Sequence, residues 1–227
     1  MIGSLFCEVE GVLANTAPLR RAALLRTLSD DGLAPTNADN FADDVADSSR
    51  DAVLRALRGQ PIADDDAAVT LLALRADRHF ARLVQAGVSL APGAVELVEL
   101  AIASCRLAIV TGLSRSTVDS LLALATLDGA FEVIIAAEDA AAAKPAPDGY
   151  RKALERMNRK RPLDARDALA LESSAVGARA ARTAGLRCAV VAPFRVASID
   201  DADAMLTSLD GETPATLDAM LSLRAAG

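Results

Sequence analysis

The chain has 227 residues, enough for one large hydrophobic core and a smaller inserted unit. Its formal net charge is −7 and the acidic residues are scattered, which argues against broad binding to nucleic acids or anionic membranes. Three cysteines without a paired spacing, no leader-like N-terminal segment and no apolar run of membrane-spanning length predict buried, reduced thiols and a cytoplasmic protein.

The first third of the chain predicts one strand followed by helices. A short apolar run at residues 5–7 predicts a strand that ends in an acidic turn, Glu8-Val9-Glu10-Gly11. From residue 18 to residue 88 the apolar side chains recur at helical spacing, and no convincing strand interrupts them. We expect helices over 18–33, 37–58 and 64–86.

After residue 93 the pattern changes to alternating helices and strands. Strands are predicted at 107–110, 131–135, 168–171, 188–192 and 204–206, and helices at 94–103, 114–125, 148–157, 175–184 and 214–223. Apolar strands that alternate with helices are typical of a parallel sheet covered on both faces. We therefore predict an α/β protein with a Rossmann-like parallel sheet from residues 1–15 and 91–227, and an inserted α-helical cap from 16–90.

Polar residues follow four of the predicted strands. In sheets of this kind ligands bind at the carboxyl ends of the strands, so these residues are the candidates for function. They are Glu8 and Glu10 after the first strand, Thr111 and Gly112 after the second, Lys144 in the loop after the third, and Glu172 and Ser173 after the fourth.

These four motifs, in this order, resemble the haloacid dehalogenase-like (HAD) superfamily. The resemblance is to the β-phosphoglucomutase-like and phosphoglycolate-phosphatase-like branch. It is best carried by L-A-I-V-T-G at 107–112, K-P-A-P-D-G-Y at 144–150 and the small-residue segment 177–185. It implies a magnesium-dependent hydrolase with a Rossmann-like core, whose helical cap excludes water from the strand ends and whose ligand is a small phosphorylated metabolite.

The resemblance assigns the acidic residues to nucleophile, acid/base and metal site. Gly11 anchors the register, so Glu8 matches the nucleophile that forms an acyl-phosphate, and Glu10 matches the general acid/base. Glu8, Glu10, Glu172 and Ser173 match the residues that surround Mg²⁺.

The same resemblance assigns a phosphate-binding half to the site. Thr111 matches the residue that hydrogen-bonds the phosphoryl group, and the backbone amides at residues 9, 10 and 112 complete its surroundings. Lys144 matches the cation that neutralises nucleophile and phosphate together.

Three acidic positions depart from the family pattern, which has aspartate at each. Glu8 and Glu10 are one methylene longer, and a displacement of about 1 Å costs on the order of a hundredfold in rate. Ser173 is neutral, whereas Mg²⁺ prefers charged oxygens, unless water or a nearby acid such as Glu138 or Asp139 compensates. The sequence therefore predicts intact phosphate binding but an impaired metal and nucleophile half.

Two residue assignments and the predicted activity each have an alternative. The segment Glu172-Ser173-Ser174 also suits the capping of a helix without any metal. Arg50 either meets a second anionic group of the substrate or is an ordinary surface arginine. The predicted activity is impaired hydrolysis of a small phosphate ester, such as a sugar phosphate or a phosphoglycolate-like molecule. The alternative is an inactive protein that binds a phosphorylated metabolite or has a regulatory or scaffold role.

Overall fold

The structure is a computed structural model that describes residues 1–36, 48–192 and 199–224. Its strands are β1 (Ser4–Cys7), β2 (Ala14–Asn15), β3 (Ser89–Leu90), β4 (Arg106–Val110), β5 (Val133–Ile135), β6 (Ala168–Glu172), β7 (Arg187–Val191) and β8 (Ala204–Leu206). Its α-helices are α1 (Ala17–Asp30), α2 (Ser49–Ala56), α3 (Asp66–Ala86), α4 (Ala94–Ile102), α5 (Arg115–Leu124), α6 (Asp148–Lys160), α7 (Ala175–Thr183) and α8 (Pro214–Arg224). None of the helices within these described ranges is long and apolar enough to cross a membrane.

Six of the strands form one sheet in the order β5-β4-β1-β6-β7-β8. Every neighbouring pair runs parallel, which confirms the predicted α/β class and the parallel sheet. The remaining strands, β2 and β3, form a separate two-stranded sheet that the sequence did not predict. They have two residues each, which is too short for a recognisable alternation.

The central strands are continuous apolar runs because both faces of the sheet are buried. Phe6 of β1, Val110 of β4 and Ala170 of β6 are buried in one cluster with Tyr150 and Met157 of α6. The opposite-facing neighbours in these strands are buried as well, so both faces of the sheet are covered. Burial of each large apolar side chain stabilises the fold by about 1.5–3 kcal/mol.

The chain forms two compact units. One comprises Met1–Asn15 and Leu90–Gly227 and contains the six-stranded sheet. The other, Thr16–Ser89, contains α1, α2 and α3 around a core that includes Leu28, Leu57 and Val69. The predicted helix over 37–58 is described only from residue 48 onward, where the Ser48 side chain caps α2, and its first part lies outside the described residues.

Candidate active site

Three neighbouring strands bring the candidate residues to one edge of the sheet. Cys7, the last residue of β1, lies opposite Ile109 of β4 and Leu171 of β6. Because the strands are parallel, the residues that follow these positions leave the sheet at the same edge. Glu8 is thereby placed between the ends of β4 and β6.

Lys144 joins the ends of the three strands through its ammonium group. Its Nζ lies 2.5 Å from Oε2 of Glu8, 2.5 Å from Oε1 of Glu172 and 3.0 Å from the carbonyl oxygen of Val110. An ammonium has three donors, so these contacts use its full capacity. Burial alone would lower the pKa of Lys144, but the charges of Glu172 and Glu8 raise it above its ordinary value.

Glu172 is buried completely, and both of its oxygens accept hydrogen bonds. Oε1 accepts from Lys144 and from the Tyr150 hydroxyl at 2.5 Å, and Oε2 accepts from the Ser173 amide at 3.2 Å. Gly177 of α7 lies against this carboxylate, and a side-chain carbon there would overlap it. Burial raises the pKa of Glu172 although the charge of Lys144 opposes this.

Sequence reasoning missed Tyr150 as a member of this cluster. The signal was present, since it is the one tyrosine of the chain and ends the K-P-A-P-D-G-Y segment at the start of α6. A fully buried tyrosine needs a hydrogen-bond partner for its hydroxyl, and Glu172 is that partner. Burial and the charge of Glu172 raise the pKa of Tyr150 well above its usual value, so the hydroxyl keeps its proton.

The carboxylate of Glu8 folds back onto the turn that follows it. Its Oε1 lies 2.6 Å from the amide nitrogen of Val9 and 3.4 Å from that of Glu10. Gly11 closes this turn with a φ of 75°, a left-handed conformation that glycine adopts without strain, and its amide donates to Ala14. Since Oε2 of Glu8 accepts from Lys144, both of its oxygens are engaged.

Thr111 and Gly112 follow β4 at the same edge. Thr111 is buried and its amide donates to the carbonyl of Ile135, which fixes it beside β5. Its hydroxyl oxygen accepts from the amide of Leu113 at 3.2 Å, and a hydroxyl that accepts there can still donate its own proton. A side-chain carbon at Gly112 would meet none of the described atoms within 4 Å.

The comparisons with known proteins decide the family. Residues 8–191 match the family model described as haloacid dehalogenase-like hydrolase. The chain belongs to this family. Protein CbbY of Rhodobacter capsulatus is 33% identical to it over an alignment of 207 positions, which covers 87% of this chain and 88% of that protein.

Solved structures agree with this HAD-like assignment. Crystal structures of CbbY from Rhodobacter sphaeroides, one with phosphate and one of a mutant with xylulose-(1,5)bisphosphate, each match with a TM-score of 0.78 at 30% identity. They cover 96% of this chain and 100% or 99% of theirs. β-Phosphoglucomutase from Clostridium difficile shares the fold, with a TM-score of 0.79 at 14% identity over 100% of both chains. The chain therefore has the fold of the HAD-like family to which it belongs.

The described acidic residues of this HAD-like site are not arranged as a magnesium site in this structure. All four oxygens of Glu8 and Glu172 already accept from protein donors, and Ser173 contributes no charge. Among the residues that the structure describes, no group of three or more His, Cys, Asp and Glu side chains is arranged to hold a metal. Ser174 caps α7 by accepting from the amide of Gly177 at 3.1 Å, which agrees with the capping interpretation of this segment.

Two acids considered as compensation for Ser173 are engaged elsewhere. Glu138 accepts from the amide of Arg115, and Asp139 pairs with Arg115 and Arg156 beyond β5. Strand β5 is three strands from β6 in the sheet, which corresponds to about 14 Å. These acids therefore do not supply the charge that Ser173 lacks.

Arg50 belongs to the helical unit of this HAD-like protein. Its guanidinium pairs with Asp66 at 2.5 Å and donates to the hydroxyl of Thr70 at 3.2 Å. Both partners are on α3, so α3 orients the side chain. A contact between Arg50 and a substrate remains a prediction.

Proposed function

We propose that this protein acts on a small sugar phosphate and that its hydrolytic activity is low. The observation that carries the proposal is the contact of Lys144 with Glu8 at the carboxyl end of β1, beside Thr111 at the end of β4. The proposal is supported by a carboxylate and a cation in contact and a hydroxyl on the neighbouring strand end, since phosphoryl transfer uses groups of these three kinds.

The sugar-phosphate class is supported by the relatives of the chain. CbbY from Rhodobacter sphaeroides was solved with phosphate and, as a mutant, with xylulose-(1,5)bisphosphate. At 30% identity over 96% of this chain, a related ligand is the natural first candidate. We therefore propose that the substrate is a pentose or hexose phosphate.

In the proposed reaction, Glu8 attacks the phosphorus of the ester and forms an acyl-phosphate. Glu10 gives a proton to the leaving oxygen, which departs as the sugar hydroxyl. Water then attacks the acyl-phosphate and gives a proton to the Glu10 carboxylate, so that inorganic phosphate leaves and both Glu8 and Glu10 return to their starting states. Lys144 offsets the charge of the phosphoryl group, and the hydroxyl of Thr111 donates to one of its oxygens.

The low rate of ester hydrolysis that we propose follows from the hydrogen bonds of the Glu8 carboxylate. A nucleophile must present a lone pair in line with phosphorus, whereas both oxygens of Glu8 are engaged by Val9, Glu10 and Lys144. The same observation favours a second candidate function, in which the protein binds a phosphorylated sugar without turnover.

The test compares phosphate release from a panel of esters by the natural chain and by the combined variant Glu8→Asp, Glu10→Asp, Ser173→Asp. The panel contains pentose and hexose phosphates, phosphoglycolate and xylulose 1,5-bisphosphate, each with magnesium and with EDTA. We expect the combined variant to exceed the natural chain by about a hundredfold with magnesium, since it restores the shorter acids and the third charge.

A matched control carries the same three kinds of change on exposed helix positions, Glu96→Asp, Glu99→Asp and Ser222→Asp. It should leave phosphate release at the level of the natural chain. Turnover by the natural chain equal to that of the restored variant would refute the impairment. Sugar-phosphate binding without turnover in either protein would support the second candidate function instead.

A further inference from the structure

The phosphate-binding donors of the proposed site already hold an anion, and that anion is a side chain of the protein. The amides of Val9 and Glu10 point at Oε1 of Glu8, at 2.6 Å and 3.4 Å. The ammonium of Lys144 holds Oε2 of the same carboxylate at 2.5 Å. Two backbone amides and a cation around two oxygens form the kind of nest that binds phosphate.

The length of the Glu8 side chain explains this arrangement. With one methylene more than aspartate, the carboxylate can turn back to the amide that directly follows it. Glu8 is buried, so water competes poorly for these donors. The two other donors of the Lys144 ammonium bond to Val110 and Glu172, so no donor is left for a second anion.

We propose that the Glu8 carboxylate occupies the phosphate subsite as an internal anion, and that an incoming phosphoryl group must displace it. This inference rests on the proposed function, because it assumes that the edge formed by β1, β4 and β6 is the phosphate site. It goes further in assigning to Glu8 a role opposed to binding. Phosphate and the Glu8 carboxylate compete for the amides of Val9 and Glu10 and for Lys144.

A distinctive consequence is that removal of this carboxylate improves phosphate binding. Glu8→Ala vacates both amides and one donor of Lys144 for the oxygens of the ligand. Charge-assisted hydrogen bonds of this kind contribute enough for a gain of about 10- to 100-fold in affinity. Removal of a neighbouring carboxylate that does not occupy these donors should give a far smaller gain.

The experiment is calorimetric titration with inorganic phosphate, in EDTA and in magnesium, of the natural chain, Glu8→Ala, Glu8→Gln and the control Glu138→Ala, which removes a carboxylate that follows β5 and accepts from the amide of Arg115. Glu8→Gln keeps the size of the side chain and removes its charge, so it protects the test against a fold that does not tolerate alanine. We expect a phosphate Kd at least about tenfold lower in the Glu8 variants, and within about threefold of the natural value in Glu138→Ala. Amide NMR signals of Val9 and Glu10 should shift on phosphate addition.

The outcomes separate this inference from the proposed function. Unchanged or weaker phosphate binding in the Glu8 variants, alongside ester hydrolysis by the natural chain, overturns the inference and leaves the function standing. An equal gain in Glu138→Ala also overturns it, because general charge repulsion would then be the cause. Tighter binding in the Glu8 variants without turnover in any protein supports the inference and overturns hydrolysis. Failure of every variant to bind phosphate overturns both.

Discussion

Lys144 stabilises two carboxylates that are buried at the end of the sheet. The side chains of Glu8 and Glu172 are 9% and 1% exposed, and the ammonium of Lys144 lies between them. Taking charges out of water is costly, and the cost is offset here by the ion pairs and by the Tyr150 hydroxyl. Glu172 is the more buried of the two carboxylates, since almost none of its surface is exposed to solvent.

At the residue scale we predict that Lys144→Met is strongly destabilising. It leaves Glu172 with a buried charge and without its cation, and breaking a buried ion pair in this way costs about 3–5 kcal/mol in the free energy of unfolding. The measurement is urea denaturation at neutral pH. The double variant Lys144→Met, Glu172→Gln should recover part of the loss, since the uncompensated charge is gone.

A suitable control for this substitution is Lys152→Met. The ammonium of Lys152 donates to the backbone carbonyl of Asp139 and not to a buried carboxylate. Lys152→Met should lower the free energy of unfolding much less than Lys144→Met does. Equal destabilisation by the two substitutions would contradict the electrostatic explanation.

Strand β5 is an outer strand of the sheet, and arginine side chains cover part of its open edge. Arg115 and Arg156 both donate to the carbonyl of Ile134 in the middle of the strand. Asp139 binds both guanidinium groups, at 2.6 Å and 2.8 Å, and accepts from the amide of Ala136 at 3.1 Å. Covering an edge carbonyl in this way protects it from pairing with another chain.

At the element scale we predict an acid-sensitive contribution of Asp139 to stability. Burial by itself would raise the pKa of Asp139, but hydrogen bonds from Ala136, Arg156 and Arg115 lower it from 3.8 to about 2. A carboxyl whose pKa is lower in the folded state stabilises the fold above its unfolded pKa. This stability is lost as the pH falls from about 4 through about 2.

The check is urea denaturation of the natural chain and of Asp139→Asn at pH 6 and at pH 2.5. The variant should be less stable at pH 6, and the difference should shrink at the lower pH. Asp119→Asn, at an exposed position of α5, is the control and should not change this pH dependence. A difference that is the same at both pH values would show that the charge of Asp139 is not the cause.

The three cysteines are distributed through the sheet-containing unit and are buried. Cys7 lies in β1, Cys188 lies in β7, and Cys105 directly precedes β4. Burial, together with the charge of Glu8, raises the pKa of Cys7 to about 12. Burial also raises the pKa of Cys105 and of Cys188, so all three are thiols at neutral pH.

At the scale of the whole molecule we predict that thiol labelling reports global unfolding. In the native protein at pH 8 a disulfide reagent such as DTNB should leave all three thiols unlabelled on the time scale of minutes. In 6 M guanidinium all three should react. A variant with an added cysteine at an exposed position, Ser222→Cys, should label at once and shows that the reagent is competent. Rapid labelling of one natural thiol in the native protein would contradict this.

The sequence determined most of the sheet and predicted the edge at which the candidate residues meet. Apolar runs predicted the six strands of the main sheet, because burial on both faces requires apolar side chains along each strand. Gly11 marked the turn that follows β1, where its φ is 75°. Strand ends were less certain: β5 begins at Val133, two residues later than predicted, although the amide of Glu132 already bonds to the carbonyl of Leu107 in β4. The two-residue strands β2 and β3 gave no pattern to recognise.

Only the tertiary structure decided how the side chains at this edge pair. Lys144 and Glu8 are 136 positions apart in the chain, and whether they touch depends on the packing of the strands between them. Strand order likewise decides that Tyr150 bonds to Glu172, and that Asp139 lies next to β5, the outer strand of the sheet. The turn of the Glu8 carboxylate onto its own amides is a choice among side-chain rotamers, which residue spacing does not encode. Hydrophobic periodicity thus specifies which backbone segments meet, whereas the hydrogen-bond partners of buried charges depend on three-dimensional distance.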